Sequence, residues 1–253
     1  SIGGQMSFLE HLDELRQRLV FAVLSIIVVF FACFYFHEHI YDFLAVPVTN
    51  ALRSFNPEYD RLVYTNPMEP FNIYLKVSFV AAIFASSPLI LWQLWLFISP
   101  GLYRHEKRYV LPFVTLTSGL FMSGGYFAYK VVLPPVFQFL FEFGGDFQPF
   151  IHINEYFSLA STLLVGMGLV FELPVIILIL SIFGIVTPKF LLKNIRYAIL
   201  IIAILAAALA PTPDWVTLML FSLPMLGLYF LSIGLCYLVQ LRRKKKSSQE
   251  DLK

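Results

Sequence analysis

Long apolar runs separated by short polar stretches dominate the chain. A bilayer has a hydrocarbon core about 30 Å thick, and a helix of roughly 20 apolar residues crosses it. The candidate runs are Leu19–Phe36, Val77–Ile98, Tyr109–Tyr129, Tyr156–Phe183, Tyr197–Ala210 and Trp215–Leu241. The fifth has only 14 residues before Pro211, but the turn that follows joins it directly to the sixth. The pattern predicts an all-α polytopic membrane protein with six transmembrane helices in one domain, residues 6–241.

Composition supports a membrane location. The chain is 58% hydrophobic and 13% charged, whereas a soluble domain carries about a quarter charged residues. Cys33 and Cys236 both lie in apolar runs, which indicates neither a disulfide framework nor a metal site. Residues 1–5, SIGGQ, read as an expression remnant ahead of a native start at Met6. We expect no cleavable signal peptide, because the first apolar run is too long.

The basic residues are distributed unevenly between the two ends of the predicted helices. Fourteen Lys and Arg residues fall on one side, at Arg16, Arg18, Arg104, Lys107, Arg108, Lys189, Lys193, Arg196, Arg242, Arg243, Lys244, Lys245, Lys246 and Lys253. Four fall on the other side, at Arg53, Arg61, Lys76 and Lys130. Cytoplasmic connections carry the excess of Lys and Arg. The split predicts both termini in the cytoplasm, with residues 242–253 as a basic cytoplasmic tail.

Three prolines lie inside the predicted spans, and one connection has an amphipathic pattern. Pro88, Pro174 and Pro224 are expected to kink or curve their helices. The segment HEHIYDFLAVPVTNALRSF, residues 37–55, is predicted to form a short helix at the membrane interface.

Motifs of several enzyme classes are absent from the sequence. There is no phosphate-binding GxxxxGK[ST] loop, no GxSxG nucleophile elbow and no HExxH metal motif. His37 and His39 flank Glu38 but do not share a helix face, so solvated polar residues are the favoured interpretation. We interpret the isolated His11, His105 and His152 as ordinary interface residues. The sequence predicts a protein that is not an enzyme and that holds no metal or cofactor.

Two segments on the predicted cytoplasmic side carry carboxylates where topology needs only positive charge. In SFLEHLDELRQRL, Phe8, Leu12, Leu15 and Leu19 recur at helical spacing, which predicts a helix that lies on the membrane surface and then enters it. Glu14 and Arg18 are four residues apart and can pair. The connection SPGLYRHEKRY places Glu106 among basic residues. A solvated helix end and a topology-enforcing loop remain the simpler interpretations, whereas both segments together suggest recognition of a cationic ligand.

Glu172 is the charged residue within the fourth predicted span. An ionisable group at that depth costs roughly 3 kcal/mol or more unless it has a partner, so it is a candidate functional residue. A structural hydrogen bond to a Ser or Thr of another span is the alternative. A proton-coupled secondary transporter that uses Glu172 is a second functional hypothesis, but it predicts inverted repeats, and none is evident. An intramembrane enzyme would need facing catalytic groups, which the spans do not show.

Several segments together resemble the TatC family, the multispanning subunit of the twin-arginine protein translocase. They are HLDELRQRL at 11–19, P-x-E-P-F at 67–71, FISPGLYRHEKR at 97–108, FELPV at 171–175 and PTPD at 211–214. They occur in order and in register with the six predicted spans. The resemblance implies a glove-like, concave bundle of kinked helices with short fifth and sixth membrane-crossing segments. It also implies a multi-pass location in the bacterial inner membrane.

The resemblance further implies a receptor for signal peptides that carry two consecutive arginines, at the cytoplasmic face. Guanidinium groups pair bidentately with carboxylates, which lysine cannot do. Glu14 and Glu106 match the family positions for this role. The matching neighbours are Arg16, Arg18, Phe97, Arg104 and His105, and the matching structural turns are at Pro47, Pro67, Glu69 and Pro134.

The same resemblance implies partners and an energy source. The family assembles with the single-span TatA and TatB proteins, through a surface that matches Thr212, Pro213, Asp214 and Thr217 here. Glu172 would meet polar groups of partners or cargo from a concave, water-accessible side of the bundle. Export of folded proteins would be driven by the proton-motive force, with several copies in one receptor complex. Membrane lipids are further expected contacts, and no nucleic acid is expected. The basic tail is a candidate site for anionic lipid, with topology enforcement as the alternative interpretation.

Overall fold

The computed structural model describes residues 8–55, 62–98, 110–144, 151–212 and 214–250, and these ranges are mostly helical. In chain order the helices are α1 Phe8–Tyr35, α2 His37–Phe55, α3 Glu69–Ile98, α4 Val110–Phe127, α5 Leu133–Phe143, α6 Ile153–Phe171, α7 Leu173–Ile182, α8 Pro188–Lys193, α9 Ile195–Leu209 and α10 Trp215–Glu250. A π-helical turn, Ala128–Val132, connects α4 directly to α5. The predicted all-α class is confirmed.

Four helical stretches of the described ranges are long and apolar enough to cross a membrane. They are His11–Tyr35, Glu69–Phe97, Ile153–Ile182 and Trp215–Leu241. On α1, Val28 is 69% exposed and Phe31 is 66% exposed in the isolated chain. Large apolar side chains on such a surface are suited to lipid contact rather than to water.

The two C-terminal apolar helices differ in length. With 15 residues, α9 is about 22 Å long at 1.5 Å per residue, which is shorter than the hydrocarbon core. The apolar part of α10 has 27 residues and is about 40 Å long. The expectation of a short fifth segment therefore agrees with α9, whereas the expectation of a short sixth segment is wrong.

Helix ends differ from the predicted apolar runs because backbone hydrogen bonding continues into the polar flanks. α1 begins at Phe8 instead of Leu19, so the predicted surface helix and the first span form one uninterrupted helix. α10 continues past Leu241 to Glu250, which makes the first part of the predicted basic tail helical.

The three prolines within the predicted spans differ in whether they interrupt the helix. Pro88 and Pro224 lie inside the uninterrupted helices α3 and α10. The helix is interrupted beside Pro174, since α6 ends at Phe171 and α7 begins at Leu173. A proline in a helix has no N–H to donate and its ring crowds the preceding turn, which accounts for this interruption.

Two of the four predicted turn positions are wrong. Pro47 lies inside α2, and Pro134 lies in the first turn of α5, so neither marks a turn. Pro67 lies in a turn just before α3, as predicted. Glu69, the first residue of α3, accepts hydrogen bonds from the Thr65 backbone N–H and hydroxyl, both at 3.2 Å. These two bonds fix the entry into α3.

Contacts divide the chain into two compact units. The first consists of Ser1–Met122 and Gln148–Ser161. In it α2, the predicted interfacial helix, packs on α3 around the buried Val48, Leu52 and Val77. The Tyr156 hydroxyl donates a hydrogen bond to the Leu44 carbonyl at 2.5 Å. The long-range bond ties the start of α6 to α2.

The second unit consists of Ser123–Phe147 and Thr162–Lys253. Here α7, α8 and α9 pack on α10. The Tyr229 hydroxyl donates to the Leu191 carbonyl at 2.9 Å, which attaches α8 to α10. Gly124 permits a close approach of α4 to α6, because a Cβ atom there would lie 2.5 Å from the Met167 carbonyl oxygen.

Candidate functional site

Polar contacts join the N-terminal part of α1 to the C-terminal part of α3. Arg18 Nη2 donates to Glu14 Oε1 at 3.3 Å, and Arg18 Nη1 donates to Gln93 Oε1 at 3.4 Å. The Glu14–Arg18 pair predicted from sequence spacing is confirmed. One guanidinium thus contacts both helices and links the carboxylate of α1 to the Gln93 amide of α3.

Glu14 retains unused capacity to accept hydrogen bonds. Its side chain is 18% exposed, and its Oε2 is buried with no hydrogen-bond partner in the described part of the chain. An ionised carboxylate offers about four acceptor positions. Charge-assisted bonds are normally about 2.7–2.9 Å long, so the 3.3 Å contact with Arg18 is loose. The site can therefore accept a further cationic donor after a small rotation of the carboxylate.

An aromatic contact lies beside this carboxylate. The His11 ring stacks on the Phe97 ring with centroids 4.4 Å apart and planes inclined by 16°. This contact was not predicted from the sequence. Gln93 was also missed. Helical spacing groups His11, Glu14 and Arg18 on one face of α1 and Gln93 and Phe97 on one face of α3, but it gives no signal that the two faces meet.

The other predicted ligand-binding residues are placed only in part. Arg16 is exposed on α1. Arg104, His105 and Glu106 lie in the segment 99–109, outside the described residues. The proximity of Glu106 to Glu14 therefore stays a prediction.

Glu172 lies at the interruption between α6 and α7 and is 8% exposed. Its backbone carbonyl accepts hydrogen bonds from the N–H groups of Val175 and Ile176, both at 3.0 Å. Its side-chain Oε1 is buried without a hydrogen-bond partner among the described residues. The described ranges therefore do not show the alternative, in which a Ser or Thr hydroxyl donates a structural hydrogen bond to the Glu172 side chain.

Thr212, Asp214 and Thr217 form a hydrogen-bonded cluster at the start of α10. Asp214 Oδ2 accepts from the Thr217 backbone N–H at 2.7 Å, and the Asp214 carbonyl accepts from the Leu218 N–H at 3.1 Å. Asp214 is thus an N-cap of α10. The Thr212 hydroxyl donates to Asp214 Oδ1 at 2.5 Å and lies 3.1 Å from the Thr217 hydroxyl. Pro213 lies outside the described residues.

The hydrogen bonds in this cluster determine the direction of one pKa shift. Desolvation acts to raise the pKa of Asp214, but the hydrogen bonds from Thr212 and Thr217 outweigh it, and the pKa is lowered from its ordinary value. Asp214 therefore remains ionised at neutral pH and presents a negative charge at the helix N-terminus, where the helix dipole favours it.

The described ranges contain no candidate metal-binding site. They contain no group of three His, Cys, Asp or Glu side chains able to hold a metal ion. His37 Nδ1 lies 2.6 Å from the Phe34 carbonyl oxygen, so that nitrogen faces the protein backbone.

Comparison with known proteins gives consistent matches along most of the chain. The family described as "Sec-independent protein translocase protein (TatC)" matches residues 10–224. A protein of that name from Koribacter versatilis is 46% identical over 247 residues, covering 97% of this chain and 91% of the relative. Another from Helicobacter pylori is 42% identical over 230 residues, covering 90% and 88%. A crystal structure described as the twin arginine translocase receptor TatC has a TM-score of 0.77 at 35% identity, covering 91% of this chain and 99% of that chain.

Proposed function

The chain belongs to the TatC family of Sec-independent protein translocases, and on that premise we propose that it is the receptor that binds twin-arginine signal peptides. Family membership and the apolar helices make it a membrane protein of protein transport. The proposed cargo is folded protein exported across the bacterial inner membrane, with the proton-motive force as the energy source.

The proposed topology has six spans with both termini in the cytoplasm. Besides the four long apolar stretches, the spans would be α4 with its π-helical continuation and the short α9. The charge asymmetry along the sequence supports this orientation. The Glu14 carboxylate would then lie at the cytoplasmic face.

The observation that carries the proposal is the Glu14 carboxylate. It is held between α1 and α3 by Arg18, and its Oε2 has no partner among the described residues. A guanidinium supplies two parallel N–H donors that match a carboxylate, whereas an ammonium acts as a point charge. Neighbouring side chains of an extended peptide point to opposite sides, so two adjacent arginines need two acceptors. We assign the second to Glu106.

The proposed contact with TatA and TatB is the cluster of Thr212, Asp214 and Thr217, together with Pro213. Trp215 and Val216 beside it are 74% and 45% exposed. A hydrogen-bonded polar group beside exposed apolar side chains suits a partner helix that carries a polar residue in the membrane.

A peptide-binding measurement tests the receptor function. The double substitution Glu14→Gln with Glu106→Gln keeps side-chain size and removes both charges. Loss of hydrogen bonds to charged groups costs about 1.5–3 kcal/mol each, so we expect affinity for a twin-arginine peptide to fall at least about tenfold. The matched control is Asp13→Asn, an exposed acid on the same helix. Unchanged affinity in the double variant, or equal affinity of the wild type for a twin-lysine peptide, would rule out the proposal.

The proton-coupled transporter is not favoured. Its carboxylate, Glu172, has no hydrogen-bonded relay partner among the described residues, and the family match covers most of the chain.

A further inference from the structure

A cavity of about 180 Å³ lies in the second unit, between the end of α7, the start of α8 and the side of α10. Its lining includes Ser181, Gly184, Val186, Thr187, Val239 and Gln240. Roughly 10–15 Å³ of such space holds one water molecule. The cavity therefore has room for a group of many atoms.

The walls of the cavity are fixed by the turn between α7 and α8. Gly184 adopts a φ of 78°, a conformation that favours glycine. The Leu180 carbonyl accepts hydrogen bonds from the Ile185 and Val186 N–H groups at 2.9 and 3.3 Å, which closes the end of α7. Because these bonds and the Tyr229–Leu191 bond hold the corner together, the cavity is present without a ligand.

Several hydrogen-bond donors of the lining are not engaged. The Thr187 hydroxyl oxygen accepts from the Phe190 N–H at 3.2 Å, which leaves its proton free to donate. The Ser181 hydroxyl, on a residue that is 6% exposed, and the Gln240 amide make no hydrogen bond among the described residues. An acceptor-rich group fits such a lining.

The basic residues that follow the lining residues along the chain favour an anion. Lys189 and Lys193 are exposed on α8 and form no ion pair in the part of the chain that the structure describes. The sequence from Arg242 to Lys246, shortly after Gln240, is entirely basic. From Leu173 to Pro213, and again from Trp215 to Gln249, the sequence contains no Asp or Glu.

The position of the cavity along the helices indicates a membrane ligand. The two apolar stretches that border it end at Ile182 and Leu241, and in the proposed topology these ends lie at the level of the lipid headgroups. Phe183 and Ile185, which flank Gly184 of the lining, and Phe190 on α8 are exposed and can contact acyl chains. A zwitterionic headgroup would bring its own cation near Lys189 and Lys193. We propose that the cavity binds the phosphate and glycerol part of an anionic phospholipid.

Native mass spectrometry of the full-length protein tests this site. The protein is purified in detergent with equal amounts of phosphatidylglycerol and phosphatidylcholine. We expect selective retention of phosphatidylglycerol. The double variant Lys189→Gln with Lys193→Gln should reduce that retention at least about tenfold, since each lysine near an anionic lipid contributes about fivefold. Gln240→Leu, which keeps all charges, should reduce it about threefold or more, the equivalent of one lost hydrogen bond.

The controls separate a built site from general attraction. Arg53→Gln with Lys130→Gln removes the same charge at exposed positions and should leave retention unchanged. Equal retention of phosphatidylcholine, an equal loss in this control, or unchanged retention in Gln240→Leu would each overturn the proposal. Displacement of the lipid by millimolar glycerol phosphate would assign the cavity to a soluble phosphate instead. Thermal unfolding of each variant shows whether it is folded. Gln240→Leu and Thr187→Ser are milder substitutions in the lining than the double lysine variant.

Discussion

The imidazole of His11 stacks on the ring of Phe97, with the two ring centroids 4.4 Å apart and the planes inclined by 16°. The contact joins α1 to α3 beside the Glu14 carboxylate. It gives the proposed receptor site an aromatic wall, and a guanidinium can stack on such a surface while it pairs with a carboxylate.

The first prediction concerns this pair. His11→Ala should lower the affinity for a twin-arginine peptide about threefold to tenfold, since an aromatic pair contributes about 0.5–1.5 kcal/mol. His11→Phe should retain most of the affinity because it preserves the stack. Peptide titration of both variants measures the effect. A His11→Phe variant as weak as His11→Ala would show that the imidazole nitrogens, not the stacking, are what matters.

The second prediction concerns Glu172. Its buried Oε1 lacks a hydrogen-bond partner among the described residues, and an unsatisfied buried group costs about 1–3 kcal/mol. Glu172→Gln still buries a polar group but removes the cost of burying an unpaired charge, so it should leave thermal stability unchanged or raise it, while it lowers export of a twin-arginine reporter. Glu142→Gln, at an exposed carboxylate, is the control and should change neither. A Glu172→Gln variant that loses stability would indicate a structural role.

The third prediction concerns the packing of α4 on α6. A methyl group on Gly124 would lie 2.5 Å from the Met167 carbonyl oxygen and 2.9 Å from the Gly168 Cα. Gly124→Ala should therefore destabilise the protein by about 1–3 kcal/mol, as overpacking does. Gly119→Ala on the same helix meets nothing within 4 Å and should be neutral or slightly stabilising. Thermal unfolding in detergent distinguishes the two, and equal melting temperatures would contradict the close approach.

The fourth prediction concerns pH. Because the native pKa of Asp214 is below its ordinary value, its stabilisation is fully present above about pH 4 and is lost as pH falls through the lower native pKa. Asp214→Asn should lower the melting temperature by up to a few degrees at pH 7, because it keeps an N-cap oxygen but removes the negative charge at the helix N-terminus. The melting-temperature difference between Asp214→Asn and the wild type should become smaller at acidic pH. Asp42→Asn, at an exposed position, is the control. A melting-temperature difference between Asp214→Asn and the wild type that does not change with pH would show that the ionised cap is not its cause.

The candidate site was predictable where it depends on local spacing. Glu14 and Arg18 are one helical turn apart, so their pairing follows from helix geometry alone. The contact of Arg18 with Gln93 joins residues 75 positions apart, and no local pattern encodes it. The same limit explains why the stacking of His11 on Phe97 was not predicted. The family resemblance implied turns at Pro47 and Pro134, but proline is tolerated in a first turn or where neighbours satisfy the backbone.

The sequence by itself determined the helical membrane class, because apolar run length and composition are local properties that the bilayer thickness selects directly. It also determined that α9 is short, because a charged residue precedes its apolar run and a proline follows it. Only the tertiary structure decided which polar atoms stay unpaired, as with Glu14 and Glu172, and where a cavity forms between α7, α8 and α10. Those features depend on which helix faces meet, and a helix with apolar residues on all sides does not specify its neighbours.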